Sequence, residues 1–432
     1  MDSLIFSFWS IAAIIVFSCA YILVVLEEPL ELRKSKPVVL ASGLIWLFIG
    51  ISFAKLGKGD VAQAVAAETI GHYGELLLFL LVSITYVNVL EERRAFEALR
   101  TWLSGLGLSY RQLYWMIGAI SFVLSIVLAN MTTAMVMGVV ALGAGRGNAK
   151  FITISFINIV VASNAGGAFC PFGDVTSLMV WQAGKLGFYE FFQLFLPALV
   201  NWLVPAIIMM FGLPKGGPEA ATTKIAAKPG TIIVLLLFAL SVFLSVLVRN
   251  AYGLQPVIGM ILGLGLLQAY SYYLQKNGKR HSNQDMVLDS FKEMQRIEWD
   301  TLLFFFGIMF AIGGLGLFGW LQLANSFLYQ TLGSTVANIA IGPLSAFLDN
   351  VPLVYAVLQM NPTMNSGQWL LLTLAAGVGG SLLVIGSAAG IALMGMAHKQ
   401  YTFMSHLKWS WAIALGYAAS IFVHLTLNKG LF

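Results

Sequence analysis

The sequence predicts an all-α polytopic membrane protein with about ten transmembrane helices and two re-entrant hairpins. Composition, a succession of long apolar stretches and the distribution of basic residues predict this fold class. Hydrophobic residues make up 59% of the 432 residues, charged residues only 10%, and the mean hydropathy is +0.85. Since a soluble chain carries about a quarter charged residues, this one could not cover its own surface with polar groups.

Ten apolar stretches predict the spans. About 20 apolar residues cross the hydrocarbon core of a bilayer, so each stretch is long enough for one helix. The first follows Met1 and Asp2 directly, without the basic residues that open a signal peptide, and is therefore predicted to be a spanning helix. The predicted spans lie near residues 4–26, 38–56, 74–90, 150–183, 190–213, 231–249, 254–275, 300–318, 368–397 and 409–428.

Two further apolar regions, 111–145 and 333–360, are interrupted in the middle by polar residues. Asn130 and Thr133 lie in the first interruption, and Asp349 lies in the second. Irregular backbone at mid-membrane depth is tolerated only where protein or water satisfies it. Both regions are therefore predicted to be re-entrant hairpins, with their two ends on one side of the membrane.

The basic residues predict the orientation. If both regions are hairpins and the 33–36 loop is cytoplasmic, 19 of the 24 Lys and Arg residues fall on the cytoplasmic side. If either region crossed the membrane fully, every later loop would change sides and the bias would be lost. The 19 residues are Arg33, Lys34, Lys36, Arg93, Arg94, Arg100, Arg111, Arg146, Lys150, Lys215, Lys224, Lys228, Lys276, Lys279, Arg280, Lys292, Arg296, Lys399 and Lys408.

This topology predicts a multi-pass protein of the cell inner membrane with both termini outside the cytoplasm. The net charge of +5 then reflects orientation in lipid, and no nucleic-acid partner is expected.

An internal repeat links the two halves of the chain. Ser125 and Asn130 of the first hairpin match Ser345 and Asn350 of the second, both at an offset of 220 residues. A glycine-rich broken helix follows each hairpin, and segment 166–174 matches 379–387 at an offset of 213. On the predicted topology the two repeats enter the membrane from opposite sides. Inverted repeats of this kind are typical of secondary transporters whose site lies near the bilayer midplane.

The repeat predicts four units along the chain. They are 1–70 (N-terminal scaffold and dimerisation helices), 71–213 (first transport unit), 214–299 (linker and scaffold helices) and 300–432 (second transport unit).

Few ionisable residues lie away from the predicted span ends. Asp174 and Asp349 fall within the broken motifs, whereas Glu75, His72 and Asp300 lie nearer the ends of spans. An intramembrane carboxylate is costly unless it is paired or hydrated, so it is a functional candidate by default. A desolvated carboxylate can hold either a proton or a cation, which is the simplest basis for exchange.

Neutral oxygens near the two aspartates are expected to complete the site. Hard oxygen ligands suit Na⁺ or Li⁺, and the sequence has no cluster of soft or imidazole ligands that would suggest a transition metal, so no cofactor is expected. The predicted Na⁺ ligands are Asp174, Asp349, Asn130, Asn164 and Asn350. The remaining candidates for ion binding or proton coupling are Thr133, Thr176, Ser177, Ser345, Ser387 and Asp300.

Several long motifs resemble the NhaD-type Na⁺/H⁺ antiporters of the ion transporter superfamily. They are NIVVASNAGGAFCPFGDVT at 158–176, FFFGIMFAIGG at 304–314, GVGGSLLVIGSAAG at 377–390, DNVP at 349–352 and TYVN at 85–88. The resemblance runs from about residue 70 to the C-terminus and is interrupted near 214–290.

The resemblance implies extrusion of Na⁺ or Li⁺ against proton uptake at alkaline pH, by an elevator-like motion in a homodimer. By motif match it places functional residues at Asn164, Asp174, Thr176, Ser177, Asp300, Ser345, Asn350 and Ser387. The chain departs from the family pattern at two positions. Ala129 stands where the family usually has Asp, and Val384 stands where it usually has a hydroxyl residue. The first departure removes a carboxylate that could bind a cation or carry a proton.

Three other functions remain open at this level. A Na⁺-coupled importer of a small anion, as found in the wider superfamily, would not need Asp174 or Asp349. An intramembrane aspartyl protease would use two aspartates, but Pro171 stands where its Gly-x-Gly-Asp motif requires glycine. A passive channel would be excluded by a pH-driven flux against a sodium gradient.

Overall fold

The computed structural model describes residues 2–145, 148–217, 225–280 and 284–432, and no β-strand occurs within these ranges. The fold class predicted from the sequence is confirmed: the chain is an all-α polytopic membrane protein. Two of the predicted cytoplasmic basic residues, Arg146 and Lys224, lie outside the described residues. The helices are α1 (Asp2–Ile5), α2 (Phe8–Val25), α3 (Glu27–Leu30), α4 (Ser35–Lys55), α5 (Gly59–Glu92), α6 (Ala95–Ser104), α7 (Tyr110–Leu124), α8 (Asn130–Ala144), α9 (Ala149–Ala168), α10 (Val175–Gln182), α11 (Phe195–Met210), α12 (Thr231–Tyr252), α13 (Val257–Arg280), α14 (Ser290–Gln295), α15 (Trp299–Phe318), α16 (Trp320–Asn325), α17 (Ser334–Ser345), α18 (Asn350–Met360), α19 (Ser366–Gly379), α20 (Ala388–Met396), α21 (Phe403–Leu407) and α22 (Ser410–Leu427).

Nine helices in the described part of the chain are long and apolar enough to cross a membrane. They correspond to nine of the ten predicted spans. The tenth, 368–397, is present as α19 and α20, and each half is too short to cross a membrane alone. Two 3₁₀ turns, at Gly380–Leu382 and Val384–Gly386, separate these halves. The nine helices are Phe8–Val25, Ser35–Lys55, Gly59–Glu92, Ala149–Ala168, Phe188–Met210, Thr231–Tyr252, Val257–Gly278, Trp299–Phe318 and Ser410–Leu427.

Helix α5 is much longer than the predicted span 74–90. It runs for 34 residues, Gly59–Glu92, which corresponds to a rise of about 51 Å, well beyond the roughly 30 Å of a bilayer core. The additional N-terminal turns, residues 59–73, contain four alanines together with Gln63 and Glu68. These residues favour helix without being hydrophobic, so hydropathy alone misses them. Glu75 therefore lies near the middle of a helix rather than near its end.

The helices pack in two groups. In the first, α4 packs against α2 and α15, α12 packs against α13, and α5 contacts α4, α13 and α15. In the second, α9 contacts α7, α8, α11 and α19, and α19 contacts α17, α18 and α22. Almost every residue of α9 and α19 is buried, so these two helices form the centre of the second group. The division of the chain at residues 70, 213 and 299 remains a prediction.

The two repeats have the same order of elements and matching contacts. Helix α7 packs on α9 as α17 packs on α19, and α8 packs on α20 as α18 packs on α10. The residues that precede the second halves of the hairpins have nearly the same backbone angles, with φ −52° and ψ 144° at Ala129 and φ −54° and ψ 139° at Asp349. Asp174 (φ −141°, ψ 150°) and Ser387 (φ −138°, ψ 133°) also agree.

A matched pair of glycines brings each broken helix against its hairpin. A Cβ atom on Gly173 would lie 2.6 Å from the carbonyl oxygen of Ser125, and one on Gly386 would lie 2.7 Å from that of Ser345. Real Cβ atoms do not approach that closely, so both positions require glycine. The sequence offset that revealed the repeat therefore corresponds to the same close backbone contact in both halves.

Candidate ion-binding site

Four half-helices begin at one small cavity. Helices α8, α10, α18 and α20 start at Asn130, Val175, Asn350 and Ala388, and all four residues line a cavity of about 50 Å³, hereafter the central cavity. Two of these helices come from each repeat. The residues that line the cavity are Asn130, Asn164, Asp174, Val175, Phe305, Asp349, Asn350, Val351, Gly377, Gly380, Gly386, Ser387 and Ala388.

Asp174 is the N-cap of α10 and is buried, with 8% of its surface exposed. One carboxylate oxygen accepts a hydrogen bond from the backbone N–H of Val175 (2.8 Å). The other accepts from the hydroxyl of Thr176 (2.6 Å) and from the amide of Asn350 (2.9 Å). No basic side chain among the described residues forms a salt bridge with Asp174. Its negative charge is therefore hydrogen-bonded but not balanced.

Asn164 connects the two repeats on the other side of the cavity. Its amide nitrogen donates to the hydroxyls of Ser381 (2.8 Å) and Ser387 (2.9 Å). Its amide oxygen accepts from the amide of Asn130 at 2.9 Å. The amide oxygen of Asn130, the first residue of α8, accepts from the backbone N–H of Met131 at 2.7 Å. This network orients the amide oxygens of the two asparagines around the cavity.

A buried histidine supports the break that follows α19. The ring Nε2 of His406, in the connecting helix α21, lies 2.9 Å from the carbonyl oxygen of Ser381. A carbonyl oxygen can only accept, so Nε2 carries the hydrogen and Nδ1 accepts from the hydroxyl of Tyr401 (2.7 Å). Burial lowers the pKa of His406 from 6.5 to about 4, so the neutral ring holds Ser381 in place.

Asp349 is the N-cap of α18 and has a partner of opposite charge. One carboxylate oxygen accepts from the backbone N–H of Val351 at 3.2 Å, and the other lies 3.5 Å from the ammonium nitrogen of Lys34. Lys34 precedes α4, in the first helix group. The two aspartates that line the cavity therefore differ: Asp349 is paired and Asp174 is not.

The charges around the cavity define what it can hold. Two carboxylates and one ammonium leave one uncompensated negative charge, which one monovalent cation or one proton would balance. The four helix N-termini add partial positive charge, and the aspartate side chains cap two of them. The amide oxygens of Asn130, Asn164 and Asn350 are neutral, hard ligands of the kind that suit Na⁺ or Li⁺.

The structure brings together seven of the eleven residues predicted from the sequence. Six of them line the cavity: Asn130, Asn164, Asp174, Asp349, Asn350 and Ser387. The seventh, Thr176, donates to Asp174.

The other four do not line the cavity, and their hydrogen bonds support the surrounding structure. Ser345 donates to the carbonyl of Ala376 (3.0 Å), and Thr133 contacts that of Leu128 (3.5 Å). Ser177 donates to the carbonyls of Cys170 (2.9 Å) and Asp174 (2.8 Å). Asp300 accepts from the hydroxyl of Ser35. A direct role of these four side chains in ion binding remains a prediction.

Two further cavities lie on either side of the site. A cavity of about 410 Å³, hereafter the wide vestibule, is lined by Arg100 and Arg296 and shares Asn130, Val175, Phe305 and Ala388 with the central cavity. A cavity of about 140 Å³, hereafter the side cavity, is lined by residues that include His72, Glu75, Gln182, Tyr355 and Gln359. It lies at the far ends of α10 and α18 and shares no lining residue with the central cavity.

Several residues at the site, among them Lys34, Ser381 and Phe305, are not indicated by the sequence. In the sequence, Lys34 is one of several basic residues of a cytoplasmic loop, and only the fold brings its ammonium to Asp349. Ser381 lies inside a quoted motif, but its match in the first repeat is Ala168, so the repeat gave no signal for it. Phe305 lines the cavity from α15 and has the appearance of an ordinary apolar residue of a span.

Comparison with known proteins identifies the family. Residues 21–377 match the family CitMHS, described as citrate transporter. The chain is 48% identical to the Na⁺/H⁺ antiporter NhaD of Alkalimonas amylolytica, over 97% of this chain and 91% of that protein. It is 47% identical to the NhaD of Halomonas elongata, over 97% and 89%. The chain belongs to the family of NhaD-type Na⁺/H⁺ antiporters.

A plant protein is also similar to this chain. Sodium/proton antiporter 1 of Arabidopsis thaliana is 30% identical over 97% of this chain and 73% of that protein. The NhaD family and CitMHS are transporters, so this protein is a transporter and not an enzyme. The aspartyl protease alternative is thereby set aside, and the resemblance first seen in the motifs is confirmed over nearly the whole chain.

Proposed function

We propose that this protein exchanges Na⁺ or Li⁺ for H⁺ at the central cavity. The observation that carries the proposal is the unpaired carboxylate of Asp174, buried at a helix N-terminus beside three asparagine amides. A metal ion and a proton both neutralise this carboxylate, so they exclude each other. At alkaline pH the proton leaves and the metal ion binds. The concentration gradients of H⁺ and of the metal ion across the membrane then drive transport.

We propose an elevator-like movement of the second helix group against the first. The wide vestibule reaches the central cavity, whereas the side cavity is separated from it by the lengths of α10 and α18. Helix α10 alone corresponds to a rise of about 12 Å. This arrangement suits a carrier whose site is open on the membrane side where Arg100 and Arg296 lie. The positive-inside rule assigns that side to the cytoplasm. Movement of the central cavity past the first group would open it toward the side cavity.

The proposal includes the setting predicted from the sequence. The protein lies among the lipids of the cell inner membrane with both termini outside the cytoplasm, and it forms a homodimer through its N-terminal scaffold helices. Segments 71–213 and 300–432 supply the transport units, except that α15 and residues 71–92 of α5 belong to the first helix group.

A second candidate is the Na⁺-coupled transport of a small anion. Four helix N-termini meet at the central cavity, and helix N-termini bind anions readily. The family description, citrate transporter, points the same way. However, Asp174 and Asp349 place two carboxylates where a substrate anion would sit, and a cavity of about 50 Å³ is small for a polycarboxylate. Both features favour a cation.

The test is a flux assay in proteoliposomes with an imposed pH gradient and a pH-sensitive dye inside. We expect Na⁺ or Li⁺ to dissipate the gradient above about pH 8, and K⁺ and citrate to have no effect. Asp174→Asn and Asp349→Asn should abolish the response, while Asp60→Asn, an exposed substitution on α5, should leave it unchanged. Unaltered exchange in both site variants would refute proton competition at these carboxylates. A response that requires citrate together with Na⁺ would favour the anion transporter.

A further inference from the structure

Lys34 is a cationic side chain held at the edge of a site for cations. Its ammonium nitrogen lies 3.5 Å from a carboxylate oxygen of Asp349, which lines the central cavity. The same nitrogen lies 4.5 Å from the ring centroid of Phe304. Only 17% of the lysine side chain and 26% of the aspartate side chain are exposed. The pair is therefore largely shielded from water. A contact between opposite charges is stronger in such surroundings than at an open surface.

The surroundings of Lys34 hold it in this position. The next residue, Ser35, begins α4 and donates its hydroxyl to Asp300 of α15. Its two basic neighbours in the loop, Arg33 and Lys36, are both solvent-exposed, and neither forms a salt bridge with Asp349. The loop thus offers three basic side chains to the same region, but only one reaches the site.

We propose that Lys34 is an internal counter-cation that a transported cation must displace from Asp349. This inference rests on the proposed exchange function. With the site empty, the lysine ammonium balances one of the two carboxylates. A metal ion that binds between Asp174 and Asp349 brings a second positive charge to the same carboxylate, and the two cations repel. Lys34 therefore lowers the apparent affinity for Na⁺ and sets the concentration range in which the carrier fills.

The pair also joins the two helix groups. Lys34 precedes α4 of the first group, and Asp349 lies at the break between α17 and α18, next to the second group. A salt bridge across this boundary ties the tip of the hairpin to the first group. Helix α18 also packs against α15 of the first group, so displacement of the lysine by a metal ion removes one of the contacts that hold the hairpin to that group.

The first test measures Na⁺ binding by the purified protein in detergent, through the rise in Tm with Na⁺ concentration. We expect Lys34→Met to lower the half-saturating Na⁺ concentration, on the order of tenfold, as for other close charge pairs. Lys36→Met removes the same charge from the same loop and should change it less than about twofold. Lys34→Arg keeps the charge and should retain a half-saturating concentration near that of the unmodified protein. If Lys34→Met does not yield folded protein, Lys34→Gln replaces it.

The second test shows whether Lys34 acts through Asp349. With Asp349→Asn as background, we expect Lys34→Met to leave unchanged whatever Na⁺-dependent rise in Tm remains, because the carboxylate that the lysine pairs with is gone. An unchanged or higher half-saturating concentration in the Lys34→Met single variant would overturn the inference while leaving the exchange function intact. A complete absence of Na⁺- or Li⁺-dependent stabilisation in the unmodified protein would instead contradict the exchange function itself.

Discussion

The amide nitrogen of Asn350 lies 2.9 Å from a carboxylate oxygen of Asp174. This hydrogen bond joins the hairpin break of the second repeat to the broken helix of the first. Together with the network from Asn130 through Asn164 to Ser387, it makes the central cavity depend on both repeats at once. A substitution at Asn350, in the second repeat, should therefore alter the environment of the Asp174 carboxylate, in the first repeat.

Replacing Asn350 by Ala removes one of the three donors to Asp174. Loss of a donor to a buried carboxylate costs about 1–3 kcal/mol, so we expect kcat/KM for Na⁺ to fall roughly 5- to 150-fold. The measurement is the initial rate of dye response in proteoliposomes as a function of Na⁺ concentration. Asn250→Ala, at an exposed position of α12, is the control. Equal rates in the two variants would mean that the Asn350 amide is not needed.

Replacing Ala129 by Asp restores an acidic N-cap to α8. The backbone angles of Ala129 match those of Asp349, so an aspartate there can accept from the first turn of α8 as Asp349 does in α18. Because Ala129 lines the wide vestibule beside Asn130, the added charge should attract cations. We expect the KM for Na⁺ to fall several-fold, which the same flux assay measures.

Ala129→Asn separates the two effects of that substitution, since asparagine caps a helix without adding charge. It should stabilise the protein slightly and leave the KM for Na⁺ unchanged. If Ala129→Asp and Ala129→Asn behave alike, the charge of the missing aspartate does not contribute to ion binding in this chain.

Replacing Gly173 or Gly386 by Ala should damage the two repeats equally. In each case the new Cβ would meet a hairpin carbonyl at 2.6–2.7 Å, and overpacking typically costs about 1–3 kcal/mol. We expect both variants to have a lower Tm in detergent and to lose most exchange activity. Gly395→Ala in α20, where nothing lies within 4 Å of the new atom, is the matched control and should retain both properties. A loss confined to one of the two glycines would show that the repeats are not mechanically equivalent.

Stability should depend on pH through His406. Its pKa is lowered from 6.5 to about 4 by burial, so between these values the unfolded chain binds the proton and the folded protein does not. Stability should therefore fall as the pH drops from about 6.5 toward 4, by at most about 1.4 kcal/mol per pH unit. The measurement is Tm in detergent across this range.

His406→Gln should lower Tm at every pH, because the contact with Ser381 is weakened, and should also flatten its dependence on pH. His398→Gln, at an exposed position, should leave that dependence unchanged. An identical slope in the His406 variant and the unmodified protein would show that other groups cause the pH dependence.

Much of the fold could be predicted because hydrophobicity and helix breaks are local properties. The polar interruptions at Asn130 and Asp349 mark the positions where the hairpin half-helices begin. The N-terminal turns of α5 were missed because helix propensity there is not accompanied by hydrophobicity.

Six of the predicted site residues line the central cavity because they lie at the breaks themselves, where sequence and geometry coincide. Contacts between distant segments could not be predicted in the same way. Lys34 and Asp349 meet only after α4 has packed against α15, and no spacing in the chain encodes that contact. The bond from Asn164 to Ser381 likewise depends on how α9 and α19 pack. Sequence reasoning therefore located the carboxylates but not the cation that balances one of them.

The unequal chemistry of two otherwise matching halves has a consequence for the transport cycle. A carrier built from identical inverted halves would have inward and outward forms that are related by a twofold rotation and have equal free energy. Here one half presents a neutral methyl group at Ala129, where the other presents a lysine-bound carboxylate at Asp349. We therefore expect the empty carrier to rest mainly in one orientation, so that the concentrations needed for half-maximal flux differ between the two faces of the membrane.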